Sequence, residues 1–133
     1  EAAGEIAKSQ GAKRKDDAAY HQALGEVLNA VTTAQIARES AVRLANNFDY
    51  TPGLPLLSDI LARKTIAVRS AIEATTKALE AVGGAGYYRA FGLERLLRDS
   101  FAGQFHPFPE KKQQQISGRI ALGLPPMTEH FDA

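Results

Sequence analysis

The stretch ALEAVGGAGYYRAFGLERLLRDSFAGQFHPFPEKKQQ, Ala78–Gln114, decides how this chain is read. A helical run stops at Gly83 and Gly84, which supply the positive φ that ends a helix at little cost. FGLERLLRDS then has the pattern of a short helix. In HPFPE, Pro109 suits the first turn of a last helix, PEKKQQQISGRIALG, which Gly123 and Pro125 stop.

Upstream of the glycines the apolar residues keep helical spacing. Leu57, Ile60, Leu61, Lys64, Val68, Ala71, Ile72, Thr75, Leu79 and Val82 form one stripe, with Thr51 or Ser58 as candidates to set its start. Ala and Thr at its centre predict close helix packing. An earlier helix begins near Ala18 and carries Leu24, Val27, Leu28, Val31, Ala34, Ala37, Ala41, Leu44, Ala45 and Phe48. It ends at NNFDYTPGLP, where Asn, Pro and Gly punctuate the chain. No segment alternates apolar and polar residues like a half-buried strand. The expected fold is therefore an all-α antiparallel helical bundle, one domain over residues 1–133. The two long helices need a further helix on their shared apolar face, for which Glu1–Gln10 and the last helix are the candidates. The bundle reads as incomplete at its N-terminal end, as a C-terminal fragment of a longer chain or one that takes a partner chain would.

Bulk properties narrow the function. Sixteen basic and 15 acidic side chains give a net charge of +1. That balance argues against nucleic acid or an anionic membrane surface, since both select a basic face. The chain has no cysteine, which excludes disulfides and thiol catalysis and fits a reducing, cytoplasmic compartment. No apolar run approaches the roughly 20 residues that span a bilayer. His21, His106 and His130 lack metal-ligand spacing with acidic residues, so no metal is expected.

Gly83, Gly84, Gly86 and Tyr87, followed by Glu94, Arg95, Arg98 and Asp99, carry a resemblance. EAVGGAGYYRAFGLERLLRDS resembles the C-terminal helical domain of the acyl-CoA dehydrogenase family, with its Gly-Gly-x-Gly-Tyr/Phe turn and Glu-Arg/Lys-x-x-Arg-Asp helix. The resemblance covers about residues 18–123. It implies a parent flavoprotein with FAD as cofactor, an acyl-CoA thioester as substrate, and oligomerisation through this bundle as a homo- or hetero-assembly. Electron-transfer flavoprotein is an implied acceptor. Cofactor contacts fall on Glu80, Gly83, Gly84 and Gly86, where glycines let the backbone approach a dinucleotide. The alternative for these glycines is a plain helix cap and tight turn.

Three departures matter. The family's base, a Glu that takes the α-proton, aligns with Pro107, which accepts no proton. No catalytic residue is therefore assigned within the chain. Glu110 is expected to serve the helix N-terminus, and His106, a base by chemistry, to be a packed or surface residue. Glu80 stands where many members have Gln. The Arg-x-x-Phe-Gly element is absent, with Arg14 as its loose candidate. Three parents fit: an active dehydrogenase with its base on another segment, a non-catalytic or half-site subunit, and a helical oligomerisation module. Arg98 and Asp99 are expected to pair with or cap neighbouring helices. Tyr87, Tyr88, Phe91, Phe101, Phe105 and Phe108 either pack under the last helix or line a pocket.

Overall fold

The computed structural model describes residues 13–127. Four α-helices run through them: α1 Ala18–Leu44, α2 Leu54–Val82, α3 Leu93–Ala102 and α4 Glu110–Ala121. The 3₁₀ turns Gly83–Tyr87 and Arg89–Phe91 join α2 to α3. Among the described residues there is no strand, and the fold is an all-α antiparallel bundle. The segment Glu1–Gln10 lies outside the described residues.

Asp17 caps α1, its Oδ1 accepting from the Tyr20 N–H at 3.1 Å. That bond first, and Arg14 second, hold the Asp17 carboxyl below the usual carboxylate range. Beyond α1 the chain turns through Asn46, Asn47 and Phe48, all at positive φ. The start of α2 differs from expectation. Neither Thr51 nor Ser58 caps it: Gly53 occupies the cap with no side-chain bond, and Pro55 sits in the first turn. Proline fixes the first-turn φ and lacks one of the N–H groups a cap would satisfy. Ser58 lies inside the helix, where its hydroxyl donates to Ser117 Oγ at 2.8 Å.

Helices α1 and α2 form the long antiparallel pair. Its two long helices carry small buried residues, Ala30 and Ala37 on α1 and Ala74 and Ala78 on α2, which let the backbones approach closely. The core proper joins Val27, Ala78, Leu79 and Leu93, flanked by Val82, Phe91 and Leu97. Much of the expected α1 stripe is not buried: Leu28 is 65% exposed and Phe48 86%. Among the described residues one helix, α2, covers most of α1, and a single neighbour hides less than the full apolar arc. Helix α4 lies on α2 alone among its substantial contacts. Ile116 is its buried anchor, and the polar Gln113 is also buried and donates to Ser117 Oγ.

Tyr20 is 2% exposed, and its hydroxyl has no partner among the described residues. A buried donor without a bond carries a desolvation cost of about 1–3 kcal/mol. Tyr20→Phe keeps the ring and removes that cost. Its denaturation midpoint should match or exceed the wild-type value, by about 1 kcal/mol in stability.

Candidate functional site

The C-terminal end of α2 builds the site. Its ladder closes with the Gly83 N–H on Leu79 O. Gly83 then takes φ 71° and ψ −152°, a conformation that favours glycine. Gly86 is glycine for a different reason: a Cβ there would lie 2.7 Å from Leu79 Cδ2 and 3.6 Å from Leu93 Cδ1. Gly84 has neither reason. Its φ is not positive, correcting the expectation that both leading glycines supply that conformation. A Cβ on Gly84 would meet no heavy atom within 4 Å. Neither local conformation nor packing within the described residues requires glycine there.

Around this open backbone stand polar and aromatic groups. Glu80 is exposed and accepts from Lys77 Nζ at 3.0 Å, while the same ammonium meets Glu26 Oε2 at 3.2 Å. The bonds to Glu80 and then Glu26 raise the Lys77 pKa. Tyr87 and Tyr88 are exposed, so they do not pack under the last helix. Phe105 is exposed too, and only Phe91 and Phe108 of the aromatic group are half-buried.

Arg14, the loose candidate for a missing motif arginine, is bonded at all three of its guanidinium nitrogens. Its Nε and Nη2 donate to Asp17 Oδ2 at 2.9 and 2.8 Å, and Nη1 donates to Ala81 O at 3.0 Å. The link to Ala81 spans 67 positions and left no local signal in the sequence.

The segment at the expected base position is held over the middle of α2. Lys64 Nζ donates to Phe108 O at 3.1 Å, and burial lowers its pKa against the opposing pull of Glu110. Glu110 Oε2 accepts from Arg69 Nε at 2.8 Å, and its Oε1 lies 2.7 Å from Arg69 Nη2 and accepts from Gln114 Nε2 at 2.9 Å. Both oxygens are thus occupied by structural bonds. His106 is exposed and has no hydrogen-bond or ion-pair partner among the described residues. His130 lies outside them.

Arg98 and Asp99 do not reach neighbouring helices. They are exposed and pair with each other at 3.4 Å, with Arg95 Nε 3.9 Å from Asp99 on the same helix. Arg95, Arg98 and Asp99 share one short helix, which makes the intrahelical partner the nearer one. An open groove of about 530 Å³ runs between α1, α2 and α3, lined by Val31, Ala34, Val68 and Ala71 with Arg38 and Asp99. Gly103 lies against it because a Cβ would come 2.8 Å from Val68 Cγ2. No helix among the described residues is long and apolar enough to cross a membrane.

Known proteins share this pattern. The family model described as acyl-CoA dehydrogenase, C-terminal domain, matches residues 1–110. Cyclohex-1-ene-1-carbonyl-CoA dehydrogenase of Geobacter metallireducens is 34% identical over 99 residues, 74% of this chain and 25% of the relative. A short-chain specific acyl-CoA dehydrogenase of Clostridium acetobutylicum is 34% identical over 88 residues, 64% of this chain and 23% of that relative. The chain therefore spans about a quarter of the length of these curated relatives. No solved structure matches it.

Proposed function

This chain belongs to the acyl-CoA dehydrogenase C-terminal domain family, and from that premise we propose that its parent performs flavin-dependent α,β-dehydrogenation of an acyl-CoA thioester. The bundle contributes to FAD binding and to oligomerisation. Gly84 carries this reading: a glycine with ordinary φ and open space where its Cβ would be is explained by something outside the described residues approaching the backbone. Glu80, Gly83 and Gly84 would hold the cofactor, and Gly86 would shape the turn by letting it settle on Leu79 and Leu93. When bound, the flavin supplies an acceptor for the β-hydrogen of the thioester as hydride.

The proton chemistry belongs elsewhere in the parent. Pro107 carries no proton acceptor. Glu110 keeps both oxygens in bonds to Arg69 and Gln114. An α-proton leaving the substrate needs a carboxylate aimed at it in a desolvated site, whereas Glu110 is turned to the Arg69 guanidinium. In this reading the base comes from another segment of the parent. The same proline favours a second reading, a half-site subunit completed by a catalytic partner chain. Electron-transfer flavoprotein is the proposed acceptor, and the cysteine-free composition fits a cytoplasmic parent.

The test is the visible spectrum of the full-length parent with and without Gly84→Val. The wild type should show a flavin spectrum that bleaches on anaerobic addition of acyl-CoA thioesters. Gly84→Val should bind flavin at least tenfold more weakly, a loss of about 1.4 kcal/mol or more, with unchanged thermal stability because the side chain enters open space. A wild-type parent without flavin would sink the cofactor assignment.

A further inference from the structure

The Gly83–Tyr87 turn is poorly held by packing on its outer side. Gly83 and Gly84 are exposed, and Cβ atoms there would touch nothing. Gly86 is buried and anchors the inner side on Leu79 and Leu93. A second anchor lies just before the turn, at the carbonyl of Ala81. This carbonyl falls beyond the close of the α2 ladder, where Gly83 N–H bonds Leu79 O. Carbonyls past a helix end need an outside donor or water.

That donor is Arg14 Nη1 at 3.0 Å. The start of α1 fixes the guanidinium on its other sides. Asp17 Oδ2 takes two of its N–H groups, at 2.9 and 2.8 Å. Its Cζ sits 4.5 Å from the centroid of the Tyr20 ring, itself buried. Asp17 is in turn fixed by its cap bond to the Tyr20 N–H. The planar fork is thereby oriented before it meets Ala81, which a flexible ammonium cannot reproduce. Three of its N–H groups bond Asp17 and Ala81, and through these bonds Arg14 acts on the turn.

We propose that Arg14 is a positioning residue: clamped by Asp17 and Tyr20, it holds the Ala81 carbonyl and so sets where the Gly83–Tyr87 turn presents its backbone. The consequence for flavin affinity rests on the function proposed above; the positioning itself does not. Arg14→Met, which keeps an apolar stem, and Arg14→Lys test it in the full-length parent. Two quantities are read: amide hydrogen exchange and the dissociation constant for FAD. Amides of Gly83–Tyr88 should exchange at least tenfold faster in both variants, while amides at the centre of α2, Thr65–Ala74, keep their wild-type rates. FAD should bind at least fivefold more weakly in both. Unchanged exchange at the turn would overturn the proposal. So would a uniform rise along α1 and α2, because Arg14 would then serve general stability. Faster exchange confined to the turn with unchanged FAD affinity would uphold the positioning and overturn the flavin reading of that turn.

Discussion

Truncating Leu93 to alanine should cost this chain about 2–5 kcal/mol of stability. Leu93 is 1% exposed and belongs to one cluster with Val27, Ala78 and Leu79. It therefore ties α1 and α2 to the start of α3. Its Cδ1 also lies under Gly86, so it supports the turn from beneath. Removing three carbons loses their transfer free energy and leaves a cavity that the surroundings only partly fill. Collapse is hindered here because the neighbours belong to three separate elements, and Gly92, at φ 67°, fixes the entry of α3. Leu28→Ala is the matched control, with a side chain 65% exposed and an expected change within about 0.5 kcal/mol. Denaturant midpoints for the two variants check both values. A Leu93→Ala loss below about 1 kcal/mol would mean that α3 moves in to close the gap.

The glycine and proline punctuation made the fold legible. Gly83, Pro55 and Pro109 each stand at or beside a helix end, because the conformations they fix belong to those positions whatever packs around them. Burial was less legible. Leu28 and Val31 continue the α1 stripe by spacing, yet they remain exposed because α2 covers only part of that arc. On α2 the reverse holds. Thr65, Ser70, Ala74 and Ala78 are buried because α1, α3 and α4 cover it from several directions. Periodicity marks an apolar direction and does not say how many neighbours a helix has. The site divides the same way. The glycine turn was readable as a motif, whereas the separate reasons for Gly83, Gly84 and Gly86 needed φ angles and neighbouring atoms. The Arg14–Ala81 bond, the Lys64–Phe108 bond and the Arg69–Glu110 pair join residues too far apart in sequence for any local pattern.

Ile116→Ala should have an effect of similar size to Leu93→Ala but a different reach. Ile116 is 1% exposed and is the main apolar anchor of α4, which among the described residues has no substantial contact with any helix except α2. The polar links along that seam are weaker holds. The Arg69–Glu110 pair has its arginine 62% exposed and is worth at most about 1 kcal/mol. The Ser58–Ser117 and Gln113–Ser117 bonds each contribute about 0.5–1.5 kcal/mol net. A helix of 12 residues is marginal in water once undocked. Losing about 2–5 kcal/mol at Ile116 should therefore release α4 before the α1–α2 pair unfolds. Amides of Gln114–Ala121 should exchange at least thirtyfold faster, a change of about 2 kcal/mol, while those at the centre of α1 stay at wild-type rates. Equal acceleration in all four helices would instead make the chain one cooperative unit. The local outcome also bears on the segment at the expected base position, because Glu110 opens α4 and the bonds from Lys64 and Arg69 hold Phe108 and Glu110 over α2. Where the segment around Pro107 lies is then set by Ile116, through the helix that follows it.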